Sequence, residues 1–86
     1  MTEDFISTLK EHGLMATYPR LAIYQTLFHT KEHLSAESIY ERLQTGFSLN
    51  SISIKEVRKT LERFAKAGLV QKVSATKEVA RYCVPE

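Results

Sequence analysis

The stretch Ser53-Ile54-Lys55-Glu56-Val57-Arg58-Lys59-Thr60-Leu61-Glu62-Arg63-Phe64-Ala65-Lys66-Ala67-Gly68-Leu69 carries the strongest local signals in the chain. Ser53 and Glu56 fit a capping box, in which the serine oxygen accepts the Glu56 N–H and the carboxylate reaches back. Val57, Leu61 and Phe64 recur at helical spacing. Gly68 followed by Leu69 fits a Schellman-type stop, with glycine supplying the left-handed residue. A helix from Ser53 to Ala67 is therefore expected. At about 100° per residue from Ile54, Val57, Leu61 and Phe64 form the inward face. Arg58, Lys55, Lys59 and Lys66 share one outward stripe with Glu62 among them, and Arg63 lies at its edge.

Upstream, the pattern gives three shorter helices. Phe5, Ile6 and Leu9 with Gly13 at C′ mark a first helix from Thr2 to His12. Thr17 can cap a second, in which Pro19 is tolerated because the first turn needs no N–H from it. Leu21, Tyr24, Leu27 and Phe28 form its apolar stripe to about His29. Ser35 caps a third, with Glu37 in its first turn, Ile39, Tyr40 and Leu43 buried, and Gly46 at its end. Phe47 to Ile52 connect to the fourth.

Downstream of Gly68 the period shortens. Leu69 to Val73 and Val79 to Val84 read as two strands of a hairpin around a turn at Ala75 to Glu78, and Pro85 ends the second. The order, three short helices, a well-capped fourth and a two-stranded hairpin, is that of a winged helix-turn-helix. This is a mainly α fold with a small β wing.

Eighty-six residues leave room for one domain, residues 1–86, with no repeat or linker. No apolar run approaches the roughly 20 residues of a membrane span. Met1-Thr2-Glu3-Asp4 lacks the basic start of a signal peptide, so the expected address is the cytoplasm and no membrane partner is expected. A single cysteine, Cys83, excludes an intrachain disulfide, and there is no CxxC pair. No nucleophile has a suitably placed His and acid, and no glycine loop can cradle a phosphate, so an enzyme is not expected. Charge is unevenly spread. Met1 to Ile52 hold four Lys/Arg against six acids, whereas Ser53 to Glu86 hold eight against four. That placement suits a face that meets phosphates. The plain alternative is a solvated face partly balanced by pairing of Lys55 and Lys59 with Glu56 and Glu62.

Several segments together resemble the ferric uptake regulator family. Gly13 to Arg20 looks like its G-L-x-x-T-x-x-R opening, and His33 to Tyr40 is similar to its H-x-S-A-E-x-I/L-Y segment. Ser53 to Leu61 and Gly68-Leu69-Val70 stand where the family has its recognition helix and exit, with Arg81-Tyr82 in its second wing strand. The resemblance implies a dimeric, metal-responsive transcription regulator whose winged helix binds double-stranded DNA, often as a repressor. It places Arg20 near the backbone and the fourth helix in the major groove. The DNA-contacting candidates are Thr17, Arg20, Ser53, Lys55, Arg58, Lys59 and Arg63.

Three departures matter. The family's A-T-V-Y-R-x-L is here Lys55-Glu56-Val57-Arg58-Lys59-Thr60-Leu61, so the preferred sequence should differ. Met15 stands for a lysine often used in the minor groove. The C-terminal dimerisation and metal-sensing half, rich in His and Cys, is absent from these residues. His33 occupies the position of a family metal ligand and Cys83 that of a ligating glutamate. Two ligands do not complete a site, so no cofactor is expected in this chain. A divalent Fe, Zn or Mn ion would need ligands from the missing half or a partner. The plain reading of the two is a capping-region histidine and a small buried thiol. Operator affinity implies a homodimer, or a heterodimer with a related regulator, on a palindromic site. The alternative function is a protein-interaction module that binds or sequesters another regulator.

Overall fold

The computed structural model describes residues 4–30, 33–46, 52–74 and 80–84. Its last helix, α4 (Ile54–Lys66), has Ser53 as N-cap, and the serine Oγ accepts the Glu56 N–H at 3.2 Å. The reciprocal arm of the expected box is missing, since the exposed Glu56 carboxylate makes no hydrogen bond among the described residues. At the other end Gly68 adopts φ +81°. Its N–H reaches the Ala65 carbonyl at 3.1 Å, and that of Leu69 reaches Phe64 at 2.9 Å. Both bonds of the Schellman motif are therefore made, with buried Leu69 and Phe64 as the accompanying apolar contact.

The first helix, α1 (Phe5–Glu11), starts later than the expected Thr2. Asp4 is its N-cap: the carboxylate accepts the Ser7 N–H at 3.1 Å and the Ser7 hydroxyl at 2.7 Å. Those hydrogen bonds pull the carboxyl below the ordinary 3.8, because they favour the charged form. Gly13, at φ +75°, closes the helix with the same double bond pattern as Gly68.

In α2 (Tyr18–Phe28), Thr17 takes the cap position in extended backbone, but its side chain makes no capping bond. The buried set is Ala22, Ile23, Tyr24, Thr26 and Leu27, broader than the expected stripe, and Phe28 is exposed. The reason is position: α2 is covered by α1, α3 and the sheet together, so a single apolar face does not suffice. Thr26 satisfies its buried hydroxyl by donating to the Ala22 carbonyl at 2.8 Å. Phe5 fastens α1 to α2 through edge-to-face contacts with Tyr24 and Phe28, at 5.3 and 5.2 Å between ring centroids.

A two-residue strand, β1 (Leu34–Ser35), leads into α3 (Ala36–Gly46). Ser35 serves both elements, because its Oγ also accepts the Ser38 N–H at 3.2 Å. The wing strands are β2 (Gln71–Ser74), which starts two residues later than expected, and β3 (Ala80–Cys83), which ends one residue earlier. The sheet corrects the expected two-stranded wing. It has three antiparallel strands in the order β1-β3-β2, with Leu34 opposite Tyr82 and Lys72 opposite Tyr82 on the other side. Two residues are too few for a period to be read, and only the pairing with β3 defines β1. The expected connection at 47–51, the hairpin turn at 75–78 and Pro85 lie outside the described residues.

Leu9, Ile23, Leu27, Ile39, Leu43, Val57, Leu61 and Phe64 are fully buried and form the centre of the core. Leu34, Leu69, Val70 and Tyr82 extend it beneath the sheet, which ties the wing to the helical layer.

Candidate nucleic-acid interface

The apolar periodicity of α4 dictates its outer surface. With Val57, Thr60, Leu61 and Phe64 turned inward, Lys55, Arg58, Lys59, Glu62, Arg63 and Lys66 are left exposed. The fold divides this surface into two flanks. On one, the start of α2 meets α4 across a shallow groove of about 310 Å³, lined by Thr17, Pro19 and Arg20 from one side and Glu56, Lys59 and Arg63 from the other. Four of the seven sequence-derived candidates thus share one concavity, although they lie up to 46 positions apart (17 to 63). The Arg20 guanidinium donates to the Met15 carbonyl at 3.2 Å, which holds it against the turn before α2 and uses one of the five N–H groups it offers. Lys59 and Arg63 also border a second hollow of about 670 Å³, with Lys66 and Lys72 at its rim.

The other flank faces α3 and the wing. Here Arg58 Nη2 donates to the Glu37 carboxylate, and the two side chains are 57% and 56% exposed. The guanidinium holds the Glu37 carboxyl below its ordinary range. Lys72 Nζ donates to both carboxylate oxygens of Glu62, at 2.8 and 3.0 Å, and the pairing raises the lysine pKa. Tyr82 lies beneath, and burial followed by the Glu62 charge pushes its hydroxyl pKa up. The expected balancing of Lys55 and Lys59 by Glu56 and Glu62 is therefore not what forms. Glu62 turns to the wing, and the acid that neutralises a stripe cation comes from α3. Ser53 is spent on the cap, and Lys55 is exposed without an ion pair among the described residues.

Residues that sequence reasoning missed are Glu37, noted only for its helix dipole, and Lys72. Lys72 is exposed together with Gln71 and Val73, although it stands two residues after buried Val70 and opposite buried Tyr82, so alternation along β2 would have turned it inward and gave no signal for it; Glu37 had none either. Lys77, which a wing tip could direct at phosphates, lies outside the described residues. Arg81 donates to the His33 carbonyl at 3.4 Å.

His33 immediately precedes Leu34, so continuation of the β1–β3 register sets it across from Cys83. The Cys83 thiol, however, donates to Gln71 Oε1 at 3.8 Å. No group of three or more His, Cys, Asp or Glu side chains among the described residues could hold a metal ion. A tetrahedral site asks for four ligands, and this pair offers two with the thiol turned to an amide, so these residues do not fit a resident metal. No helix among the described residues is long and apolar enough to cross a membrane.

The chain is similar to known proteins over most of its length. The chain is 40% identical over 70 residues to the ferric uptake regulation protein of Neisseria meningitidis, covering 78% of this chain and 46% of that protein. It is 35% identical over 79 residues to ferric uptake regulation protein 1 of Mycolicibacterium fortuitum, covering 92% and 47%. The chain thus spans about half the length of the curated relatives it matches. The crystal structure of the Vibrio cholerae ferric uptake regulator superposes with a TM-score of 0.85 at 28% identity, covering 96% of this chain and 63% of that one. Both the architecture and the matched span of residues 11–86 lead to one assignment: the chain belongs to the ferric uptake regulator family.

Proposed function

We propose that residues 1–86 are the DNA-binding unit of a transcription regulator of this family, acting in the cytoplasm, with the helix from Ser53 to Ala67 entering the major groove. Dimerisation and metal sensing then belong to chain or partner beyond these residues. The observation that carries this reading is the groove in which Thr17 and Arg20 meet Lys59 and Arg63. It flanks an exposed helix of about the width that a major groove admits. In such a motif the N-terminal part of the second helix reads base edges while neighbouring cations meet phosphates. Lysine acts there as a point charge and arginine as a fork.

Binding by anisotropy to a labelled palindromic duplex, across a salt series, tests the reading. Each phosphate contact steepens the slope of log K against log salt by about 0.9. Replacing Lys59 and Arg63 by Ala should therefore flatten it by about two. Binding that is absent to high micromolar protein, or insensitive to salt, would count against the proposal.

A second reading has one observation of its own. Met15, which lines the same groove, is 73% exposed, and Tyr18, three residues on, is 57% exposed, the two most exposed large apolar side chains among the described residues. A surface of this kind suits a module that binds or sequesters another regulator, as a heterodimer partner would. Pull-down with a full-length family regulator, at salt that strips DNA, separates the two readings.

A further inference from the structure

The Arg58–Glu37 pair joins two elements that the candidate DNA surface alone would not require to touch. Glu37 lies in the first turn of α3, at the positive end of that helix, which favours its charged form. Arg58 lies in the second turn of α4, on the outward stripe. Both side chains are more than half exposed, and exposed pairs of this kind add little to stability. Glu62, the other carboxylate on this flank, is engaged at both oxygens by Lys72 and so does not compete for the guanidinium. Glu37 takes up one N–H, that on Nη2, of the five a guanidinium offers. The donors that remain are enough for the two parallel bonds that guanine O6 and N7 accept.

We propose that Glu37 is a positioning residue for base reading: it holds Arg58 as an outward fork directed at a guanine edge, and neutralises it as a phosphate-binding cation. The proposal rests on the reading of α4 as the helix that enters the groove. A free arginine at this position would swing to the nearest phosphate, gaining affinity for any sequence. One tethered by a carboxylate has fewer conformers to lose on meeting a base. The carboxylate itself repels phosphates nearby. Glu37 therefore trades general affinity for discrimination.

The test uses the full chain, E37Q, R58K and the double variant. Binders are selected with the wild-type chain from duplexes randomised at their centre. The selected duplex is then compared by anisotropy with versions carrying A·T for each G·C pair, across a salt series. The wild type should prefer one G·C pair by about fivefold or more, the lower end for a bidentate contact. R58K, which keeps the charge and loses the fork, should lose that preference. E37Q should bind unselected duplex more tightly at low salt, with a slope steeper by about one. Its preference at the same pair should fall by about threefold or more. The double variant should discriminate no better than R58K. If E37Q keeps the wild-type preference and slope, or weakens all duplexes equally, the positioning role is overturned while the DNA reading stands. If the wild type binds no duplex, the DNA reading itself fails and this role with it.

Discussion

Ser53 lets the local and functional roles of α4 be separated by a pair of substitutions. Its Oγ accepts one N–H, that of Glu56, at 3.2 Å, and the side chain is exposed. Ser53→Ala removes the acceptor and adds no clash. Loss of an N-cap costs about 0.5–2 kcal/mol. The lower half of that range applies, because water can reach the freed N–H and the Glu56 carboxylate does not reciprocate. With an unfolding entropy of about 2.1 cal/mol/K per residue, this domain has roughly 0.18 kcal/mol/K at its midpoint. A loss of about 0.5–1 kcal/mol then lowers Tm by about 3–6 °C. Ser53→Asp keeps an acceptor and adds a negative charge at the positive end of the helix, so Tm should stay within about 2 °C of wild type. DNA affinity should behave differently. If α4 enters the groove as proposed, a carboxylate at its tip opposes phosphate at several ångströms, which in water amounts to a two- to fivefold loss, roughly. Thermal melts followed by far-UV circular dichroism and anisotropy on one duplex measure both quantities. An unchanged Tm for Ser53→Ala would refute the cap's contribution. Full DNA affinity in Ser53→Asp would show that this end of α4 does not face phosphate.

Other expectations follow from the core, the helix stop and the first cap. Phe64 is fully buried and meets Tyr24 edge to face at 6.4 Å, so Phe64→Ala should cost about 3–5 kcal/mol in urea denaturation. That is a large part of the roughly 4–13 kcal/mol available to a domain of this size. Gly68→Ala meets no atom within 4 Å, yet φ +81° is unfavourable for a Cβ; a loss of about 1–2 kcal/mol from backbone strain alone is expected in the same assay. Asp4 has its folded pKa depressed below 3.8 by the Ser7 bonds. Its contribution is therefore present above the unfolded value and lost as pH falls through the depressed folded one. Asp4→Asn should lower Tm at neutral pH and weaken the fall in Tm below about pH 4, which a pH series of melts would detect.

Much of this fold could be read along the chain, because its deciding interactions span few residues. A serine cap reaches three residues ahead, a Schellman glycine closes bonds within five, and a buried stripe repeats every three or four. Hence α4, the glycine stops after α1 and α4, and the Ser35 cap were all legible. The second helix was read too narrowly, since burial on several sides depends on what covers it. The helical period by itself set Lys55, Arg58, Lys59 and Arg63 on one outward side of α4, and the resemblance to the family added Arg20 by position.

Other features exist only once distant segments meet. β1 is a strand because β3 lies beside it, 48 positions away at Leu34–Tyr82. Glu37 finds Arg58 across 21 positions, and Glu62 turns to Lys72 instead of to its helical neighbours. Periodicity placed four cations on one stripe and could not rank them. Side-chain charge interacts through space over a few ångströms, so partners from α3 and the wing decide which cations stay free. The sequence by itself determined the helices, their ends and the basic face of α4; the tertiary packing alone decided that Lys59 and Arg63 join Arg20 in one groove while Arg58 is held by Glu37.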